Sequence, residues 1–418
     1  MRAADSVATW SIAALAILGV VIRPGALPEA VWAVSGALAL VLLSLISPSE
    51  ALTAILQGTD VYLFLVGMMV LAEVARLEGL FDWLAAYAVR HSRGSSARLF
   101  TLVYAVGTVV TVFLSNDATA VVLTPAVYAA VRRARAPPLP CLLVCAFIAN
   151  AASFVLPISN PANLVVYGAH MPPLSVWLRQ FGVASVVSIA VTYMMLRWTQ
   201  RRQIEGGITS EMTPPALGLG GRVALGGIGA TAIVLVSASS LDRPLGLPTF
   251  LAGTITAVAI LMLTRSRPGP VLKRISWSVL PLVAGLFVLA RGVEGTGLLQ
   301  PLGALLAAQS SMPVIALAAG GVAGVACNLM NNLPLGLLAG ALVGGAHLRP
   351  EVGGAVLIGV DLGPNLSVTG SLATILWLVA LRREGLKVSA WQFLAVGSLV
   401  MPAALLGALA SFWWSAMR

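Results

Sequence analysis

Apolar stretches of about 10 to 25 residues follow one another along the whole chain, at 8–22, 31–46, 61–71, 99–114, 174–196, 223–236, 250–263, 279–289, 314–326, 352–360 and 390–414. The longer ones approach the roughly 20 residues with which a helix crosses a ~30 Å hydrocarbon layer. None shows the alternation of apolar and polar positions that a membrane strand requires, so the backbone must satisfy its hydrogen bonds inside helices. The pattern predicts an all-α polytopic membrane protein with about 10 transmembrane helices. The stretch at 8–22 has only Arg2 ahead of it and no clear small-residue cleavage site behind it, and reads as the first span.

Composition agrees: of 418 residues 59% are hydrophobic and 10% charged, and the mean hydropathy is +0.95. The formal charge of +10 lies in short connections rather than on one surface, which argues against nucleic acid and for the enrichment of Lys and Arg in cytoplasmic loops. Placing Arg23, Arg222 and the basic residues at 90–98, 132–135, 197–202, 265–274 and 382–387 inside leaves Arg2, Arg179, Arg243, Arg349 and Arg418 opposite, with Arg76 and Arg291 within membrane segments. The expectation from charge is a multi-pass membrane protein with both termini outside. It holds only if 115–135 and 328–347 are re-entrant hairpins, each entering the membrane and returning.

The chain also matches itself. Setting Gly79-Leu80 on Gly297-Leu298 aligns 64–85 with 282–307 at an offset of 297 − 79 = 218, and the polar runs Ser115-Asn116-Asp117 and Met330-Asn331-Asn332 follow at an offset of 331 − 116 = 215. An interrupted helix comes next in each half, "IANAASFVLPISNPANLVVY" (148–167) and "IGVDLGPNLSVTGSLATILW" (358–377), which sets Asn150 on Asp361, Asn160 on Ser371 and Asn163 on Thr374. With the charge-based orientation the halves are two inverted-topology repeats with two broken helices, the plan that builds one midplane site in many secondary transporters. The predicted organisation is N-terminal transmembrane helices at 1–59; repeat 1 at 60–197, with hairpin 115–135 and broken helix 139–168; a cytoplasmic linker at 198–222; connecting transmembrane helices at 223–275; and repeat 2 at 276–418, with hairpin 328–347 and broken helix 350–380.

Candidate chemistry gathers in the interrupted segments. A carboxylate near the bilayer centre costs at least ~2.5 kcal/mol, so Asp117 and Asp361 need a reason to be there. One reason is to cap the broken end of a half-helix; the other is to carry a proton or cation between two aqueous sides. Asp117 is the favoured proton carrier and Asp361 the second, because the first hairpin has Asn-Asp where the second has Asn-Asn. Around them stand Asn116, Thr119, Asn150, Ser159, Asn160, Asn163, Asn331, Asn332, Asn365, Ser371 and Thr374, which donate and accept at once, and no basic residue. Such a site suits a neutral polyhydroxylated solute or a small cation rather than a dicarboxylate or phosphate.

Glu73 and Arg76 align with Arg291 and Glu294 in swapped order. They are either ordinary ion pairs within one helix or a gating set brought together by the repeat. His170 and His347 fall near the outer face and His91 in an inner loop, all as isolated, solvated residues. Cys141, Cys145 and Cys327 sit in apolar sequence and form neither a disulfide framework nor a metal-ligand signature, so no metal and no cofactor is expected. No GxxxxGK[ST] element is present, so the chain is not read as an ATP-hydrolysing enzyme.

At "LSNDATAVVLTP", "NLMNNLP" and "GVDLGPNLSVTGSLATILWL" (359–378) the sequence resembles the bacterial arsenite efflux permeases, the ArsB-type branch of the ion-transporter superfamily. The resemblance covers nearly the whole chain, and its one departure is Pro161 in "SNPAN". It implies export of arsenite and antimonite hydroxides in exchange for protons, sometimes with a peripheral arsenical-stimulated ATPase. It also implies site roles for Asn116, Asp117, Thr119, Asn331, Asn332, Asp361, Gly363, Pro364, Gly370, Ser371 and Thr374. Cys327 is then the thiol best placed to touch arsenic, although small buried hydrophobe is the ordinary role of Cys. The rival readings are a Na⁺/H⁺ antiporter of the same superfamily and a passive channel subunit driven by a partner ATPase.

Overall fold

The computed structural model describes residues 3–168, 171–209, 216–298, 301, 312–345 and 349–416. Its elements are helices, with no strand among the described residues. The first half runs α1 (Ala3–Ile22), α2 (Glu29–Leu42), α3 (Pro48–Gln57), α4 (Thr59–Leu77), α5 (Leu80–His91), α6 (Ser96–Phe113), a π-helical turn Ala118–Leu123, α7 (Thr124–Arg133), α8 (Pro138–Ala151), α9 (Pro161–Tyr167) and α10 (Leu174–Gln200). The second runs α11 (Leu219–Ser240), α12 (Gly246–Thr264), α13 (Gly269–Arg274), α14 (Val279–Gly295), α15 (Met312–Met330), α16 (Asn332–Gly345), α17 (Pro350–Leu362), α18 (Leu372–Arg383) and α19 (Ala390–Ala416). Seven of these, namely α1, α6, α10, α11, α12, α15 and α19, are each long and apolar enough to cross a membrane, and α3 with α4, bent by 45° at their junction, reach that length and composition only as a pair.

The order of elements recurs: two longer helices and a short one precede α4, and two longer helices and a short one precede α14. The sequence alignment did not include those leading helices, and their packing is exchanged. α14 packs on α2 and α3, whereas α4 packs on α12 and α13. Gly285 and Gly67, which the alignment superposes, make the two close approaches: a methyl at Gly285 would meet the Ala33 carbonyl oxygen at 2.9 Å, and one at Gly67 would run into the Thr249 carbonyl. Asp60 Oδ1 accepts from the Gly246 N–H at 2.7 Å and ties the starts of α4 and α12 together. The closing helices of the two halves, α10 and α19, pack on each other. Gly79 and Gly297 share a left-handed backbone, φ 74° and 76°, which a residue without Cβ adopts freely.

The two polar runs fold differently from the predicted hairpins. Within 115–135 the chain does not turn back. From Asn116 to Arg133 it is one helical arm, and the turn lies at Leu114-Ser115, so that α6 is the other arm. Likewise the second turn is at Asn331, between α15 and α16; residues 346 and 347 of that predicted hairpin lie outside the described residues. Both turns place a non-glycine residue at positive φ, Ser115 at 150° and Asn331 at 75°. Pro125 explains the π-helical turn before it. Its ring lacks an N–H and would crowd the preceding carbonyl, so the ladder shifts by one residue, and the Thr124 hydroxyl donates back to the Thr119 carbonyl at 3.3 Å.

Past α10 the polar connection fastens onto first-half loops: Ile208 N–H donates to the Gly94 carbonyl at 2.9 Å and Thr209 N–H to the Ala134 carbonyl at 3.0 Å. This binds the predicted linker to the basic loops rather than leaving it as a free tether.

Candidate functional site

The two interrupted helices are built alike. α8 ends at Ala151, an irregular stretch follows, and Asn160 opens α9 with φ −148° and ψ 131°, its side chain accepting from the Ala162 N–H. α17 ends at Leu362, and Ser371 opens α18 with φ −142° and ψ 154°, its hydroxyl accepting from the Thr374 N–H. Both are N-caps of a second helical piece, as the alignment of Asn160 with Ser371 requires. Pro161 occupies the first helical position, where its missing N–H costs nothing, so the departure in "SNPAN" starts α9 instead of kinking it.

The interruptions meet and cross. Asn160 Nδ2 donates to Asp361 Oδ1 at 2.7 Å, joining the N-cap of α9 to the end of α17. Ser371 Oγ donates to Asn150 Oδ1 at 3.4 Å, joining the N-cap of α18 to the end of α8. Asn150 Nδ2 also donates to Asn365 Oδ1 at 3.0 Å and to Thr374 Oγ1 at 3.4 Å, and Asn365 Nδ2 reaches the Phe147 carbonyl at 3.0 Å. Asn160 with Asp361, and Asn150 with Asn365, Ser371 and Thr374, thus form two buried polar contacts between the halves. Asp361 Oδ2 and, nearby in sequence to Asn160, Asn163 Oδ1 are buried without a partner among the described residues.

Other predicted residues serve the frame. Asn163 Nδ2 donates to the carbonyls of Ser153, Leu156 and Pro157 at 2.8, 3.3 and 3.3 Å and so shapes the first interruption, while Ser159 Oγ donates to the Val112 carbonyl at 3.1 Å and holds it against α6. Asn331 Nδ2 donates to the Thr369 carbonyl at 3.4 Å while its Oδ1 accepts from the Leu333 N–H, which holds the second turn against the second interruption. Thr119 shares a hydrogen bond with Thr111 at 2.8 Å.

At the first turn, Asn116 is buried with Oδ1 unpartnered among the described residues; Asp117, half-buried, forms no hydrogen bond or ion pair with them. Neither joins the two contacts between the halves by hydrogen bonds, nor does Asn332. The charge pairs close locally: Arg76 grips Glu73 at 2.8 and 2.6 Å, and Arg291 meets Glu294 at 2.9 Å, each within its own helix, so the structure does not bring the two together. His170 and His347 lie outside the described residues.

Asn328 was missed. Its Oδ1 accepts from the Ser367 N–H at 3.1 Å and hydroxyl at 2.7 Å, and its Nδ2 donates to the Gly363 carbonyl at 3.0 Å, clamping both sides of the second interruption. The repeat alignment sets Phe113 opposite it, so the comparison of halves gave no signal; the amide three places before Asn331 in "NLMNN" was the only one. Cys327 is fully buried with its sulfur against Gly363, while Cys141 and Cys145 are buried in α8. Among the described residues no group of three His, Cys, Asp or Glu could hold a metal.

Membrane-length helices with a polar crossing of two interrupted helices at their core define a multi-pass membrane transporter, not an enzyme. The CitMHS family model, described as citrate transporter, matches residues 13–361, and the chain belongs to that family. Arsenical pump membrane proteins of Yersinia enterocolitica and of Escherichia coli K12 are each 24% identical to it over 357 residues, 80% of this chain and 81% of theirs. An uncharacterized transporter of Mycobacterium bovis is 25% identical over 396 residues, 88% of this chain and 89% of its own length. The fold is similar to that of the YdaH transporter of Alcanivorax borkumensis, described as having an unusual topology, with a TM-score of 0.59 at 16% identity over 88% of this chain and 87% of that one.

Proposed function

We propose that the protein is a secondary transporter of the bacterial inner membrane that exports arsenite and antimonite hydroxides in exchange for protons. One observation carries this reading. Among the described residues the crossing is lined by amides, hydroxyls and a single carboxyl, and no Lys, Arg or His enters its hydrogen-bond network. Citrate, the substrate of the family's name, is a polyanion that calls for fixed positive charge. Arsenous acid is neutral near physiological pH and offers three hydroxyls, each able to donate and accept, as Asn, Ser and Thr do. The similarity to curated arsenical pumps points the same way. Recognition by hydroxyls rather than by several thiolates also leaves the solute free to depart on every cycle.

In this reading the halves are inverted repeats, Asp361 and Asp117 serve proton coupling, and the half-buried Asp117 exchanges protons with water at the first turn. Everted membrane vesicles containing the protein are expected to accumulate arsenite when a pH gradient is imposed without ATP. Uptake that requires ATP and a second protein supports a passive channel subunit instead, and arsenite-independent Na⁺ movement supports a Na⁺/H⁺ antiporter.

A further inference from the structure

The two crossing contacts have the same construction, with an amide donor on a carboxyl in one and a hydroxyl donor on an amide in the other. At each, the residue that N-caps the second helical piece donates to a residue near the end of the other half's first piece: Asn160 to Asp361, and Ser371 to Asn150. The donors superpose in the alignment, and so do the acceptors. One acceptor is an amide that never titrates; the other is a carboxyl.

The surroundings of that carboxyl are unusual for an ion. Asp361 is 0% exposed, and its Oδ2 has no partner among the described residues. The helices packed against α17 bring Cys327 from α15, Cys141 and Cys145 from α8 and Tyr167 from α9; α16 and α19 carry no titratable residue, and Glu351 lies about 15 Å away along α17 itself. No cation faces it among the described residues. A buried, unpaired carboxylate costs far more than a buried carboxylic acid, so this geometry is that of the protonated group.

Building on the exchange reading above, we infer that the transported proton is carried at Asp361, and that Asn160 is the positioning residue that registers it. The protonated acid accepts from Asn160 Nδ2 and stays in the closed crossing. When its proton passes to water on an open side, the carboxylate draws water or a solute hydroxyl to itself and this crossing loosens. The Asn150–Ser371 contact, which cannot titrate, holds as the pivot. Asn160 is suited to the role because its Oδ1 is occupied by the α9 cap, so that its Nδ2 is committed to the crossing.

The test uses the full chain in proteoliposomes with arsenite as the probe, reading uptake driven by a pH gradient and arsenite counterflow at equal pH. Asp361→Asn is expected to cut gradient-driven uptake at least about tenfold and to leave whatever counterflow remains independent of pH. Adding Asn150→Asp moves the carboxyl to the other crossing and is expected to restore gradient-driven uptake to at least about a tenth of wild type. Gradient-driven uptake that survives Asp361→Asn overturns the assignment, and a double variant that stays uncoupled overturns the equivalence of the crossings.

Should Asp361→Asn not fold, Asn160→Ala decides instead: a pH midpoint of counterflow displaced by about half a unit or more supports the inference, and an unmoved midpoint overturns it. A wild-type protein with neither counterflow nor gradient-driven uptake rejects the arsenite reading itself, separately from the role of Asp361.

Discussion

The two halves hold their interrupted helices in different ways. In the second half α15 and α17 meet backbone to backbone: a methyl at Gly359 would run into the Gly320 carbonyl oxygen, and one at Gly363 into that of Gly324. In the first half the corresponding helices, α6 and α8, are kept apart by side chains, with Gly107 facing a methyl of Ile148, 2.8 Å from where a Cβ would stand. The glycine-lined pair is the one that surrounds Asp361. A small residue every fourth position lets helices approach closely in a membrane, and that closeness leaves no room for water around a carboxyl that has no counter-charge. The first half, whose acceptor is the neutral Asn150, needs no such enclosure.

This contrast can be broken most sharply by volume. Gly359→Leu is expected to remove most folded protein, because it must force the α15 and α17 backbones apart, at a cost of about 3 kcal/mol or more, whereas Gly107→Ala needs only an adjustment of Ile148 and costs under about 1 kcal/mol. The yield of monodisperse protein in detergent and its thermal unfolding read both.

The next contrast is between the acids. Asp117→Asn is expected to slow gradient-driven arsenite uptake only about threefold and to leave its pH dependence in place, since Asp117 lies outside the crossing network. Full uncoupling by Asp117→Asn, measured in the same vesicles, would return the proton to the first turn.

Asn163→Ala leaves three carbonyls of the first interruption without their shared donor and is expected to lower stability by about 1–3 kcal/mol. Thr374→Ala at the matching position, where the hydroxyl meets only Ser371 and Asn150, is expected to cost about half as much. Thermal melts of the two variants compare them.

Among the charge pairs, Glu73→Gln breaks a two-bond contact whose Glu side chain is only 10% exposed, and is expected to cost about 1–2 kcal/mol. Glu294→Gln, at a pair 39–45% exposed, is expected to cost less than about 0.5 kcal/mol. Smallest of all, Cys327→Ala is expected to keep arsenite uptake within about twofold. A larger loss of uptake with unchanged unfolding temperature would make the thiol a substrate contact.

Much of this molecule is legible in its sequence because matching motifs occur in both halves. Asn160 and Ser371 are matched by spacing alone, and both prove to be N-caps with nearly equal backbone angles. The leading helices were not legible as counterparts. Their partners lie in the opposite half, and apolar helix-packing faces carry few residues distinctive enough to align.

The turns fall inside the polar runs, at Ser115 and Asn331, but the arms before them, α6 and most of α15, lie outside the predicted hairpins, because charge counting says only that the chain returns, not where. Asn328 escaped for lack of a counterpart. The weight given to Asp117 came from comparing the hairpins with each other, whereas the crossing, which depends on contacts some 200 residues apart in sequence, sets Asp361 against Asn160.

The central claim is that arsenite and proton movements are linked through Asp361. In proteoliposomes holding a pH-sensitive dye, arsenite moving down its own gradient should drive protons the opposite way in wild type. With Asp361→Asn, arsenite should still cross while the dye signal stays flat. A dye response in that variant equal to wild type would contradict the account.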